Sequence, residues 1–258
     1  MRDMAVFWAE KSSPDIGGLS RKYRVAIFPV GSTEQHGPHL PTGTDHIIAW
    51  ELSKRVAEEI DALLLPLLPY GFSDDHFPKP GTISISADTL KGVIRDVANS
   101  LNRNGLRHLV IVSGHAGHLG QISDIAYQLN LALPPYGLRV HNISPYTAVP
   151  VERLGTILEE EMFIHAEELE TSLMLYLRPE LVDMGRAVKE HPDFIPRGLT
   201  TPNFLEAIRI VTTSKFLGRD FETGVCGDAT LATREKGEKL FSLLVSGLVE
   251  AIKHVTRE

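Results

Sequence analysis

"YRVAIFPVGSTEQHGPHLPTGTDH", residues 23–46, joins two unlike pieces of chain. The run "RVAIFPV" (24–30) is apolar almost throughout and lacks the alternating polar positions of a half-exposed strand. It reads as a strand buried on both faces, the mark of a parallel sheet covered by helices. The loop after it, 31–46, gathers Glu34, His36, His39, Asp45 and His46, spaced by glycines and prolines. "DHIIAWELSKRVAEEI" (45–60) then repeats apolar residues at Ile48, Leu52, Val56 and Ile60, which is helical spacing, with Thr44 or Asp45 as N-cap. Strand, polar loop and helix make the first half of a βαβ unit. In open sheets of this kind ligands bind beyond the carboxyl ends of the strands.

The same alternation continues along the chain. "ALLLPLL" (62–68) reads as a strand that Pro66 pushes toward a sheet edge. "DTLKGVIRDVANSLNRNG" (88–105) is an amphipathic helix closed by Gly105. "HLVIVSG" (108–114) is a buried strand, "LGQISDIAYQLNLAL" (119–133) a helix and "LRVHNIS" (138–144) a strand. Then "EMFIHA" (161–166) reads as a short strand and "LETSLMLYL" (169–177) as a helix stopped by Arg178-Pro179. Residues 185–227 read as long loops around a short helix near 203–211. The stretch 229–255 is a long helix with a stripe at Leu240, Leu243, Leu244, Leu248 and Ile252. The expected fold is one α/β domain over 1–258, a three-layer α/β/α sandwich around a mainly parallel sheet.

Composition narrows the function classes. The 258 residues are 43% hydrophobic and 23% charged, enough for a large core. The net charge is −7 and no Lys/Arg run exceeds two residues, which argues against nucleic acid as partner. Cys226 stands alone, so an internal disulfide framework is excluded and a reducing compartment is the default. "MAVFWA" (4–9) is too short for a signal-peptide core, and no stretch reaches a membrane span. The expectation is a cytoplasmic protein acting on a small molecule, with no membrane or nucleic-acid partner.

Three polar clusters fall where strands should deliver side chains to one rim. The first is Glu34, His36 and Asp45; the second His115 and His118; the third His165, Glu167, Glu168 and Glu170. Glu34 and His36 are two apart, so in extended chain they point the same way. Imidazole and carboxylate together suit Zn²⁺, Mn²⁺ or Fe²⁺, and a shared carboxylate can hold two ions that activate water at neutral pH. His39 and His46 read as bystanders, and His108, His141, His191 and His254 as structural or exposed. Glu159-Glu160-Glu161 reads as a solvated face. His118 divides between a pocket role and a locally packed helix start.

"GSTEQHGPHLPTGTD" resembles the signature of the creatininase (creatinine amidohydrolase) family. "GFSDDHFPKPGTISIS" (71–86), "SGHAGH" (113–118), "HAEELETS" (165–172) and "GVCGDATLATREKG" (224–237) resemble its later motifs in the same order. The resemblance implies a dinuclear metal centre, hydrolysis of small cyclic or formyl amides, and a homo-oligomer, often a hexamer. It implies Glu34, His36, Asp45 and His115 as metal ligands, with Asp45 bridging, Glu34 and His115 on one ion and His36 on the other. His165 matches a histidine near the substrate, and Glu170 the glutamate of "ETS", a ligand or base.

This chain departs from creatininase itself where an aromatic residue and a glutamate follow the histidine matching His115. Here they are Ala116 and Gly117. The missing carboxylate is expected from Glu170, with Glu168 or Glu167 behind it. The family's usual glycine after "HA" is Glu167, and the tryptophans that close creatininase's pocket have no counterpart, since Trp8 and Trp50 lie elsewhere.

The expected mechanism is attack of a metal-held hydroxide on a carbonyl. His165 contacts the intermediate or leaving group, Glu168 or Glu170 handles the proton, and His76 and His118 reach the substrate. A ring-opening hydrolase of a cyclic polyol ketone (an inosose) and a non-catalytic metal-binding subunit are the competing readings.

Overall fold

The computed structural model describes residues 6–133 and 137–257. Met4 and Ala5 of the short apolar N-terminal run lie outside the described residues. A five-stranded parallel sheet forms the centre, built from β1 (Val6–Phe7), β2 (Val25–Val30), β3 (Leu63–Leu64), β4 (His108–Ser113) and β5 (Arg139–Ile143). Its order is β1-β3-β2-β4-β5, and every neighbouring pair is parallel.

The continuous apolar runs have the predicted consequence. Ile27, Val110 and Val112 face one way; Ala26, Phe28, Val30, Leu109 and Ile111 face the other. The first face packs on α2 (Thr44–Ile60), α6 (Glu168–Leu177) and α8 (Arg234–Val255) through Ile48, Leu52, Leu169, Leu173, Leu240 and Leu244. The second packs on α3 (Ala87–Arg103) and α4 (Leu119–Ala132) through Leu90, Ile94, Ile122 and Ile125. This is the expected α/β/α sandwich. Three further helices are α1 (Ser13–Lys22), α5 (Val151–Leu154) and α7 (Thr201–Thr213). No described helix is long and apolar enough to cross a membrane.

Several elements differ from the sequence reading. "ALLLPLL" forms ladder only at Leu63–Leu64 and lies inside the sheet, between β1 and β2. Pro66 lacks the N–H to extend the ladder, which resumes as a single bridge from Leu68 to Val30. "EMFIHA" is not a strand. It makes one antiparallel bridge, His165 to Cys226, because no longer partner runs beside it. The third polar cluster therefore comes from a loop and the start of α6, not from a strand end. β1, α1, α5 and the short antiparallel pair of β6 (Lys189–Glu190) with β7 (Gly227–Asp228), distant in sequence, lie outside that reading.

Candidate metal centre

The loop after β2 is tied down by its backbone, Glu34 N–H to Thr42 C=O at 3.0 Å and Ile83 N–H to Thr33 C=O at 2.8 Å. It delivers Glu34 and His36 side by side. α2 brings Asp45 back to them. Asp45 does not cap its helix: the N-cap is Gly43, without a side-chain cap. Instead both Asp45 oxygens are committed elsewhere. Oδ1 lies 3.0 Å from His36 Nε2; Oδ2 lies 3.1 Å from His115 Nδ1 and accepts from Ser32 Oγ at 2.6 Å. This approach needs Gly114 at the end of β4, where a Cβ would come within 2.4 Å of the Asp45 carbonyl oxygen.

Glu34 approaches the same His115 nitrogen as Asp45. Its Oε1 is 3.1 Å from His115 Nδ1, 3.2 Å from His76 Nε2 and 3.8 Å from His165 Nδ1. Neither Glu34 oxygen has a donor aligned as a hydrogen bond, although the side chain is fully buried. Glu170 Oε2 lies 3.6 Å from His36 Nε2 and accepts the Ala166 N–H at 2.6 Å. Among the candidate ligand groups are Glu34/Asp45/His115 and His36/His165/Glu170, which share no residue but are joined by the Asp45–His36 contact.

The electrostatics fit a cation. Burial pushes the Glu34 carboxyl up, and it stays up. Burial opposes charge on His36, but Asp45 and then Glu170 outweigh it and hold the imidazole up at about 10. His115 is likewise held well above its usual range against burial, by Glu34 and Asp45. Burial and, behind it, Asp45 push the Glu170 carboxyl up to about 8, despite the opposing pull of His36. The cluster thus holds more carboxylate than its surroundings can neutralise and takes up protons in their place. Divalent ions would displace those protons, and an unbonded buried carboxylate beside imidazoles is the donor set they prefer.

Gly117 packs closely against the buried His115 ring. A Cβ at Gly117 would meet His115 Nε2 at 2.4 Å, and that nitrogen donates to the Phe72 carbonyl at 3.1 Å. No carboxylate reaches the centre from this position, and Glu170 approaches His36 from α6.

Two expected site residues point elsewhere. Glu168 Oε2 accepts the Glu159 and Glu160 N–H groups at 2.8 and 2.9 Å, and Oε1 pairs with Lys236. Glu168 and Glu170 are two positions apart on one helix, about 200° around its axis, so one faces the cluster and the other faces away. His118 is buried behind His115, ring edge to face at 4.7 Å, and its Nε2 bonds Ser113 Oγ at 2.8 Å. It supports His115 and does not line the cavity. His76, by contrast, enters the cluster.

His39 and His46, read as bystanders, bond Thr171 Oγ1 and the Ser32 carbonyl, and His39 is buried, not at the surface. Glu160 is not solvated: it is buried, and its Oε2 accepts the Asp228 N–H at 2.8 Å. Glu159 and Glu161 are exposed as read.

Four residues escaped the sequence reading. Asp75 joins His76 and His115 in a further ligand group; its position beside His76 in "SDDH" was the available signal. Ser32 bonds Asp45. Gln35 Nε2 donates to His76 Nδ1 at 3.1 Å and the Gln35 backbone carbonyl accepts from His165 Nε2 at 2.8 Å, orienting both rings. Tyr146 lines the cavity, and its buried hydroxyl has no partner.

Residues 9–252 match the model of the family described as creatininase, creatinine amidohydrolase. The chain is 32% identical to creatinine amidohydrolase of Pseudomonas putida, over 89% of this chain and 88% of that one. It is 31% identical to the mycofactocin precursor peptide peptidase of Mycolicibacterium smegmatis (89% and 84%). It is 26% identical to the 3-dehydro-scyllo-inosose hydrolase of Thermotoga maritima (98% and 85%). A solved manganese creatininase superposes with a TM-score of 0.78 at 28% identity, covering 98% of this chain and all of that one. The sheet, the strand-end cluster and these similarities agree, and the chain belongs to the creatininase family of metal-dependent hydrolases.

Proposed function

We propose that this chain uses two divalent ions, zinc, manganese or iron, to hydrolyse a small cyclic amide or formamide at its carbonyl. The observation that carries this reading is the buried Glu34 carboxylate, which faces three imidazoles and has no aligned hydrogen-bond donor. Glu34, Asp45 and His115 would hold one ion; His36, Asp45 and Glu170 the other. When bound, the ions would supply Lewis acidity toward the carbonyl oxygen and lower the pKa of water.

The chain's own groups do the rest. His165 Nε2 donates to the Gln35 carbonyl at 2.8 Å, which leaves Nδ1 as the acceptor on the Glu34 side. Burial, with His36 beside it, keeps this ring neutral, its pKa well below the usual histidine range. His165 can therefore take a proton at Nδ1 and return it to the leaving group. The Tyr146 hydroxyl is an unspent donor for an oxygen that gains charge. Phe163, Leu169, Phe204 and Leu217 line the same cavity and exclude water.

The inosose reading draws its support from the similarity to the Thermotoga maritima hydrolase over 98% of this chain. A cytoplasmic homo-oligomer, hexameric by resemblance, completes the proposal. Tyr127 and Leu131, 66% and 70% exposed at i,i+4 on α4, offer an apolar surface for self-association. Metal analysis combined with turnover of creatinine, N-formyl amides and inososes tests the reading. Two ions per chain and turnover lost in His36→Ala are expected. Ions bound without turnover of any class would favour the non-catalytic subunit.

A further inference from the structure

The cavity over the cluster is small, about 40 Å³. That is room for a few waters and not for a whole organic substrate. A second cavity of about 540 Å³ adjoins it and shares Asp75, Ala116, Gly117, Ile208 and Thr212 with it. Two of the shared residues, Ala116 and Gly117, are small, so little side-chain bulk stands between the cavities there. A substrate can therefore place its carbonyl in the inner chamber and extend its remainder into the outer one.

The outer chamber has a definite chemistry. Asp74 and Asp75 are its carboxylate lining, and among the described residues neither cavity is lined by Lys or Arg. Phe72 and Phe216 add aromatic walls, and Gln121 a polar one. Arg219 does sit 4.7 Å over the Phe216 ring, but it is paired with Asp220 at 3.3 Å. Carboxylates with aromatic faces suit an ammonium group, through charge and cation–π attraction, and repel an anion.

We propose that the outer chamber is a specificity slot, and that the substrate is a carbonyl compound carrying a cationic amine several bonds from the reacting carbon. This rests on the hydrolase reading for the carbonyl but on the cavity alone for the amine. Gly120, on the first turn of α4, lines the slot, and a Cβ there meets nothing within 4 Å. It is the position from which a large side chain would fill the slot.

Three probes of similar length decide the matter: N-formylputrescine, neutral N-formylpentylamine and anionic N-formylaminovalerate. Calorimetric titration into the manganese-loaded protein should show the cationic probe binding roughly tenfold tighter than the neutral one, as expected for one ion pair near a protein surface. The anionic probe should bind weakest. Asp74→Asn should shrink the cationic-to-neutral ratio several-fold, and Gly120→Trp should bring it close to one. Equal binding, preference for the anion, no binding of any probe, or a ratio untouched by both variants would overturn the slot. A preserved ratio with no hydrolysis of any probe would instead overturn the hydrolase reading and leave the slot standing.

Discussion

Two groups of buried carboxylates flank the start of α6, and they are opposites. Glu34, Asp45 and Glu170 face His36, His76, His115 and His165. Glu160, Glu167 and Glu168 face backbone N–H groups and Lys236. Glu167 caps α6 by accepting from Leu169 and Glu170 N–H, Glu168 takes Glu159 and Glu160 N–H, and Glu160 takes Asp228 N–H. The second group spends most of its oxygens on the fold, although Glu160 Oε1 has no partner among the described residues. In the first, Glu34 spends none. Buried carboxylates are costly unless satisfied, so the unsatisfied group marks the place where a cation belongs. Burial and acidity alone do not separate the two.

The widest separation should come from Asp45→Ala. This removes the carboxylate that touches both ligand sets, so metal content should fall toward zero and kcat by a factor of roughly a thousand or more. Normal metal content would break the comparison. Glu170→Gln should come next, with loss of one ion of the pair and roughly a hundredfold lower turnover. Elemental analysis showing two retained ions would return the second-site carboxylate to an open question.

Glu168→Gln should behave in the opposite way. Metal content and kcat should hold, while stability falls by about 1–3 kcal/mol from the damaged hydrogen bonds and the weakened Lys236 pair. Denaturant unfolding reads that loss. A collapse in kcat without loss of stability would place Glu168 in the chemistry after all.

The smallest effect concerns pH. Burial and the neighbouring Glu167 push the Glu160 carboxyl well above its usual range. A raised folded-state pKa means stability that is present at low pH and is lost as pH rises through that value. Glu160→Gln removes the ionisation, so its melting temperature should decline less on the alkaline side than that of the parent. Parallel melting curves from acid to alkaline pH would show that Glu160 is not a buried acid.

Much of this was legible in the chain. The apolar runs at 24–30 and 108–114 predict two strands buried on both faces, and Ile27 and Phe28 do face opposite helical layers. Glu34, His36, Asp45 and His115 also converge. Other residues were not legible because their signals are non-local. Asp75 reaches the cluster from the loop between β3 and α3, next to His76, which the sequence reading did single out, and Tyr146 comes from the loop after β5. "EMFIHA" has the composition of a strand but finds only Cys226 to pair with.

The sequence by itself determined the candidate ligand chemistry, because the strong metal donors in these loops are imidazoles and carboxylates. It also determined the layers, because periodicity follows burial. Only the tertiary structure decided among Glu167, Glu168 and Glu170. All three lie within one helical turn, and local geometry says merely that Glu168 and Glu170 point apart. How α6 docks against β2 and α2 settles which of them meets His36. Lys236, on α8 and 68 residues further along the chain, holds the other out of the site.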